Sequence, residues 1–416
     1  MRNRLDLPSL RQLRAFEAVA RRNSIGAAAR ELGLSQPAVT QMVAQVETAL
    51  VVKLLERRRS GTYLTPLGSV LLPRVGRLFA HIQAALGDPI IGASLAGRET
   101  TKSVENKITD THIRALTAIA DRGSFEAAAR RLKISQPALH RSARDLERVV
   151  RRSLYQRMAR GLAPTSQARE LARRLKVALR ELEYGIEEIR AAQGIFTARI
   201  AVGNIPHSGA HLLSKAINQF LALYPSASVH VLDGPYEPLL DALRAGDLDL
   251  LFGVLRRPAW ADDVREEFLF SNPYVVVVRR QHPLARVRNI TLRELARYDW
   301  ILPARGAPRR EAFERLFAGS PRPPMVGIET TAPAIYKSIL ATTDRIALLS
   351  TLEAQFAEPE GLTVLAFDSP VLARTDGVAR RADWQPTSLH QQFLDLLHAQ
   401  AQEYQAVIRT ARVQAR

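Results

Sequence analysis

Ala27-Ala28-Ala29-Arg30, followed by Leu34-Ser35-Gln36-Pro37-Ala38-Val39, returns further along the chain as Ala127-Ala128-Ala129-Arg130 followed by Ile134-Ser135-Gln136-Pro137-Ala138-Leu139. The offset is 100 residues throughout and holds without a gap from residues 14–65 to residues 114–165. Of those 52 positions 20 are identical, and many others exchange one apolar residue for another, such as Phe16 for Leu116, Val19 for Ile119 and Val46 for Leu146. Self-similarity on this scale means that one folding unit is present twice.

Each copy reads as three short helices and a hairpin. In the first, Leu10, Leu13, Phe16 and Val19 share one helical face. Ser24 is placed to cap a second helix whose inner face is Ile25, Ala28, Ala29 and Leu32. Gly33 makes the turn, because glycine adopts a left-handed backbone without a Cβ clash. Ser35 caps a third helix, with Pro37 in its first turn where proline is tolerated. Val39, Val43, Val46 and Leu50 face inward, leaving Gln36, Thr40, Gln41, Ala44 and Gln45 outside.

A tight turn followed by a helix with an uncharged, hydrogen-bonding outer face is a helix-turn-helix, and such side chains match base edges in the major groove. The expected DNA contacts are Ser35, Gln36, Pro37, Thr40 and Gln41 in the first copy, and Ser135, Gln136, Pro137, His140, Arg141 and Arg144 in the second. An arginine-bearing hairpin follows each third helix. It brings Arg57, Arg58 and Arg59, and then Arg157 and Arg160, to the phosphate backbone.

Charge supports a polyanion partner. Before Phe196 there are 34 basic and 18 acidic residues, a surplus of 16; from Phe196 on the counts are 25 and 23. Basicity confined to one half suits nucleic acid. There is no cysteine, which excludes disulfides, thiol catalysis and cysteine-ligated metals. No apolar run reaches the roughly 18 residues of a membrane span, and the N-terminus lacks a secretory core, so the expected location is the cytoplasm, with no membrane partner.

Leu13-x-x-Phe16, Ser24, Ala27-Ala28-Ala29, Leu34 to Thr40, Val46-Glu47 and Leu64-Thr65-Pro66-Leu67-Gly68 together resemble the winged helix-turn-helix of LysR-type transcriptional regulators. The second copy resembles it equally, through Ser124 to Ala129, Ile134 to Leu139 and Leu146-Glu147. Members of that family usually carry one such domain, so the duplication is a departure. It leaves open how many half-sites are contacted and whether the first copy binds DNA.

From Ser166 to Gln193 the residues Leu175, Leu179, Leu182, Ile186 and Ile189 form a heptad seam of about two repeats. The resemblance implies the linker helix that pairs subunits. Leu71, Val75, Leu78, Ile82 and Ala85 form a similar run, but Pro73 lies inside it, where proline breaks or kinks a helix. Gly87, Pro89, Gly92, Ser94 and Gly97 then suggest a flexible tether. The expected domains are thus 8–86 and 108–165 (winged helix-turn-helix), 87–107 (flexible linker), 166–195 (dimerisation helix) and 197–416 (effector domain). The first copy is expected to be loosely tethered, and the second rigidly coupled.

After Ala198 short apolar runs alternate with helical segments, the pattern of an open, largely parallel α/β sheet. Two such sets resemble the two-lobed, periplasmic-binding-protein-like effector domain of the LysR family, lobe I over about 197–270 and 370–416 and lobe II over about 271–369. Asp344-Arg345-Ile346-Ala347-Leu348 resembles a subgroup tied to sugar and aromatic-acid catabolism.

Ligands of open α/β sheets bind past the carboxyl ends of strands. That rule selects Asn204, Ile205, His207 and Ser208 in one lobe, and Arg305, Thr330 and Thr331 in the other, with Arg309 or Arg310 as further cations. The expected ligand is a small organic or aromatic acid or a sugar. His207 and His211 lack a third ligand at defined spacing, so no metal or cofactor is expected. No nucleophile–base set appears, so no enzyme is expected.

The reading is a ligand-responsive regulator whose partners are double-stranded DNA, a small effector, further copies of itself in a dimer or tetramer, and RNA polymerase. The alternative is a solute-binding or assembly module whose helical domains make protein contacts. Steep salt dependence of binding separates the two.

Overall fold

Ser9 and Thr109 open the two copies in the same way. Each hydroxyl accepts the N–H three residues on, and the side chain of that residue bonds back to the cap main chain. The computed structural model describes residues 7–88, 104–158, 161–206, 209–256 and 262–414, and divides into two compact units, Met1–Ala198 and Arg199–Arg416.

The first unit contains α1 (Leu10–Arg22), α2 (Ile25–Leu32), α3 (Gln36–Leu50), the hairpin β1 (Leu55–Arg58) and β2 (Gly61–Leu64), and α4 (Pro66–Gly87). The second copy repeats this as α5 (Asp110–Arg122), α6 (Phe125–Leu132), α7 (Gln136–Val150), β3 (Tyr155–Met158), β4 (Gly161–Pro164) and α8 (Ser166–Ala192). Gly33 takes φ +64° at the turn, and Lys133 holds the same left-handed conformation in the second copy, at φ +57°. For a residue with a Cβ that conformation costs on the order of 1 kcal/mol.

Two expectations need correction. Pro73 does not break its helix: α4 runs through it from Pro66 to Gly87. Proline forfeits one helical hydrogen bond, while Leu71, Val75, Leu78, Ile82 and Ala85 are all fully buried around it. Those residues share one apolar core with Leu175, Ala178, Leu182, Ile186 and Ile189 of α8, so the heptad seam is covered within the chain. Nor is the first copy loosely tethered on the described residues. Val104 of the expected linker and Ile108, the first residue of the expected second domain, join the same core, and Glu105 of the linker is buried against Arg14. Residues 89–103 of that linker lie outside the described residues.

α4 and α8 come into close contact at Gly185. A Cβ there would lie 2.9 Å from Leu71 Cδ1 and 3.1 Å from Arg74 Cβ. Charge then clasps the helices. The buried Glu181 carboxylate accepts from Arg74 and Arg77, each at 3.0 Å, and faces His81 at 3.7 Å. Arg74 also pairs with Glu188, and Arg174 pairs with Asp88 at 2.6 Å. Burial alone would raise the Glu181 pKa; hydrogen bonds and charge from His81, Arg77 and Arg74 overrule it and hold the group at about 2.

The second unit is built on two five-stranded sheets. Lobe I has β5 (Arg199–Asn204), α9 (Ala210–Leu223), β6 (Ser228–Asp233), α10 (Tyr236–Arg244), β7 (Leu250–Val254) and β8 (Val264–Ser271). The chain crosses to lobe II for β9 (Tyr274–Arg279), α11 (Leu292–Leu295), β10 (Trp300–Leu302), α12 (Pro308–Leu316), β11 (Val326–Glu329), α13 (Pro333–Thr342), β12 (Ile346–Ser350), α14 (Thr351–Gln355) and β13 (Leu362–Val364). It returns through β14 (Thr375–Arg381) and ends in α15 (Ser388–Gln414). The strand orders are β6-β5-β7-β14-β8 and β11-β10-β12-β9-β13.

The sheets are mixed, not largely parallel. β5 pairs in parallel with β6 and β7, and β10 with β11 and β12, but β14 is antiparallel to β7 and β8, and β9 to β12 and β13. The antiparallel strands are those entered at the two crossings between lobes. Asn272 sits at the first crossing, fully buried. It bonds Asp376 at 2.7 Å on one side and the Leu352 N–H at 3.1 Å on the other.

Candidate DNA-reading helices and effector cleft

The third helices of the two copies expose matching N-terminal faces. Ser35 and Ser135 cap α3 and α7, accepting the N–H groups of Ala38 at 3.3 Å and Ala138 at 3.4 Å. Pro37 and Pro137 occupy the first turns. Gln36 and Gln41 are exposed in the first copy and Thr40 is half-buried; Gln136, Arg141 and Arg144 are exposed in the second. Among the described residues neither Arg141 nor Arg144 has an ion-pair partner, which leaves both for an external anion. His140 is less free than expected. It is half-buried, its ring stacked on Phe125 with centroids 4.3 Å apart.

Arg57, Arg58 and Arg59 stand exposed on the first hairpin, with Arg58 paired to Glu56 and lying over the Tyr63 ring. Arg157 is exposed on the second; Arg160 lies outside the described residues.

Two positioning residues were missed as site residues. Glu47 accepts the main-chain N–H groups of Leu54 at 2.9 Å and Leu55 at 3.2 Å, and Glu147 those of Leu154 at 2.7 Å and Tyr155 at 3.2 Å. Each fastens the start of its hairpin to the helix before it. Burial alone would raise the Glu47 pKa, but these bonds and Lys53 leave it below the ordinary carboxylate value. The signal was present: an acidic residue kept at the same place in both copies of a basic domain.

In the second unit a cavity of about 680 Å³ lies at the carboxyl ends of the parallel strands. Of the residues selected from the sequence, Ile205, Arg305 and Thr331 line it. Asn204 and Thr330 do not. Asn204 is buried and donates to Asp233, which does line the cavity, and the Thr330 hydroxyl accepts the Ala332 N–H at 3.1 Å. Both positions are corrections, since local hydrogen bonds hold these side chains in place. His207 and Ser208 lie outside the described residues.

The strand-end rule missed two aromatic walls, Tyr236 and Tyr274, and two cations, Arg256 and Arg374; of the further cations named from the sequence, Arg309 lines the cavity, while Arg310 pairs with Glu314 and Glu329. Arg256 lies over Tyr236 and pairs with Glu237; Arg309 pairs with Glu353; Arg374 lies over Tyr274 and binds both oxygens of Asp376, at 2.8 and 2.9 Å. Burial, reinforced by Glu266, pushes the Tyr236 hydroxyl up to about 12, so it stays a hydrogen-bond donor. Among the described residues Arg305 is the cation of this lining without an ion pair, and it is exposed. Tyr236 and Arg256 follow parallel strands, within reach of the rule. Tyr274 and Arg374 arrive at the lobe crossings, which no local pattern marks.

The model of the LysR substrate binding domain matches residues 194–402, and that of the bacterial regulatory helix-turn-helix protein of the lysR family matches twice, at 10–69 and 111–169. The chain belongs to the LysR family. It is a ligand-responsive transcriptional regulator and not an enzyme, and the assembly-module alternative falls away.

The HTH-type transcriptional regulator GalR of Pseudomonas putida is 30% identical over 380 residues, covering 91% of this chain and 94% of that relative. An alignment of that span cannot leave out either helix-turn-helix segment. PcaQ of Agrobacterium fabrum is 27% identical over 286 residues, covering 68% of this regulator and 92% of PcaQ. Full-length OxyR from Pseudomonas aeruginosa shares the fold, with a TM-score of 0.55 at 22% identity over 70% of this chain and 93% of that one. LysR regulators bind DNA and small-molecule effectors and act as oligomers. No helix among the described residues is long and apolar enough to cross a membrane.

Proposed function

We propose that this LysR regulator reads promoter DNA through both third helices, as tandem winged helix-turn-helix domains, and closes a periplasmic-binding-protein-like cleft on an organic or aromatic acid. The observation that carries the DNA reading is the repeated exposed face, Gln36 and Gln136 each standing at the start of a helix whose following hairpin bears arginines. The two faces are unequal. Arg141 and Arg144 add charge where the first copy has Gln41 and Ala44.

The double variant Gln136→Ala, Arg141→Ala is therefore expected to weaken DNA binding by about 10- to 100-fold, since one good base contact contributes about 1–3 kcal/mol. Gln36→Ala with Gln41→Ala should weaken it less. Titration of a selected operator by gel shift measures both, and equal losses overturn the ranking.

Among the described residues the cleft combines aromatic walls with one uncommitted cation, Arg305, which suits a planar or short carboxylate. Arg305→Gln is expected to lower affinity for such acids about tenfold or more, because a hydrogen bond to a charged group contributes about 1.5–3 kcal/mol. Calorimetric titration with a panel of aromatic and aliphatic carboxylates tests it. A ligand bound equally well by the variant removes Arg305 from the site. Action in the cytoplasm, on RNA polymerase, and as a dimer or tetramer completes the reading.

A further inference from the structure

The offset of 100 that relates the two copies also relates the contacts between them. Arg74 of the first copy meets Glu188 of the second, and Arg174 of the second meets Asp88 of the first. Reduced by the offset, these are one contact seen from both sides, position 74 against position 88. Two further contacts join a position to its own counterpart: His81 faces Glu181 at 3.7 Å, and the Leu10 N–H donates to Asp110 Oδ2 at 3.2 Å. A surface on which i meets j while j meets i is the mark of a two-fold interface, and self-paired positions lie on its axis. The close approach fits the same symmetry, since the counterpart of Gly185 is the small, fully buried Ala85. The interface is a continuous apolar core closed by the Glu181 clasp.

We propose that a single chain folds in cis the two-headed DNA-reading unit that a symmetric dimer would assemble in trans, with α4 taking the place of a partner's linker helix, and that α3 and α7 address the two unequal halves of one operator. The DNA part rests on the reading given under Proposed function; the cis pairing does not.

The chain has no cysteine, so introduced thiols are the only ones present. Arg74→Cys with Gly185→Cys puts a thiol on each helix at the closest approach, where a Cβ on residue 185 lies 3.1 Å from that of residue 74. A slight separation of the helices reaches the roughly 3.5–4.5 Å of a disulfide. After oxidation the full-length double variant is expected to carry its disulfide within one chain, at monomer mass on a non-reducing gel. A mixture of the two single variants should give no cross-linked dimer. Linked product at twice the chain mass, or free thiols in the folded double variant, overturns the cis pairing.

A second measurement needs no buried substitution. DNA selected from a random pool by the intact protein is footprinted with hydroxyl radicals. Two unequal protected half-sites about one helical turn apart are expected. Gln36→Ala should thin protection over one half and Gln136→Ala over the other. Identical half-sites, or one variant thinning both equally, overturn the division of labour. A monomer-mass cross-link with no footprint at low salt overturns the DNA reading alone; a dimer-mass cross-link with a footprint overturns the cis pairing alone.

Discussion

Replacing Glu181 by leucine is expected to lower the stability of the N-terminal unit by about 3–5 kcal/mol at pH 7, the usual result of removing one partner from a buried ion pair. Glu181 is only 2% exposed, and it neutralises Arg74 and Arg77 between α4 and α8. Leucine fills most of the space but removes this carboxylate from both Arg74 and Arg77. The effect depends on pH with a definite sign. The carboxyl titrates at about 2 in the folded unit, against about 4.3 in an unfolded chain. A depressed folded value stabilises fully above the unfolded value, and the contribution is lost as pH falls toward 2. The gap between wild type and variant should therefore close from about pH 5 downward. Urea titration followed by far-UV circular dichroism measures it. Trp260, Trp300 and Trp384 all follow residue 198, so tryptophan fluorescence reports the other unit and should be unchanged. A gap below about 1 kcal/mol at pH 7, or one that persists undiminished in acid, contradicts the assignment.

Arg374→Met should be comparably damaging to the C-terminal unit, again by about 3–5 kcal/mol. Asp376 is completely buried, and among the described residues the variant would leave it Asn272 as its side-chain donor. Burial opposes the charge on Arg374, but the Asp376 carboxylate overrules it and holds the guanidinium more firmly protonated than usual. Here tryptophan fluorescence is the proper readout. Adding Asp376→Leu should restore much of the loss, because replacing both partners with apolar groups avoids a lone buried charge. If the double variant is no more stable than Arg374→Met, the loss lies in packing and not in charge. The position also ties the cavity to the lobe crossing, since Arg374 lines the cavity while its partner Asp376 is bonded to Asn272 at that crossing.

The helix-turn-helix copies were legible because their determinants are local. Ser24, Ser35, Ser124 and Ser135 cap the helices that follow them, and Gly33 supplies the left-handed turn, each within a few residues of its partner. The apolar faces of α3 and α7 follow from helical spacing. Part of the candidate cleft was within reach of the same kind of reasoning, since Ile205, Arg305 and Thr331 each follow a strand. Asn204 and Thr330 were misread because the strand-end rule gives a residue's place along the chain and not what its side chain already bonds.

What the sequence determined by itself was a duplicated, basic helix-turn-helix unit ahead of a two-lobed α/β domain, since repeats, caps and hydrophobic periods act over a few residues. Only the tertiary structure decided that α4 continues through Pro73 and that its apolar face is covered by α8 of the same chain. It alone brought Arg374 beside Tyr274, 100 residues earlier in the chain. The physical reason is the same in both cases. One forfeited helical hydrogen bond is outweighed by a large buried surface, and a buried charge is satisfied by whatever the fold brings near it; both are decided by chain segments far apart in sequence.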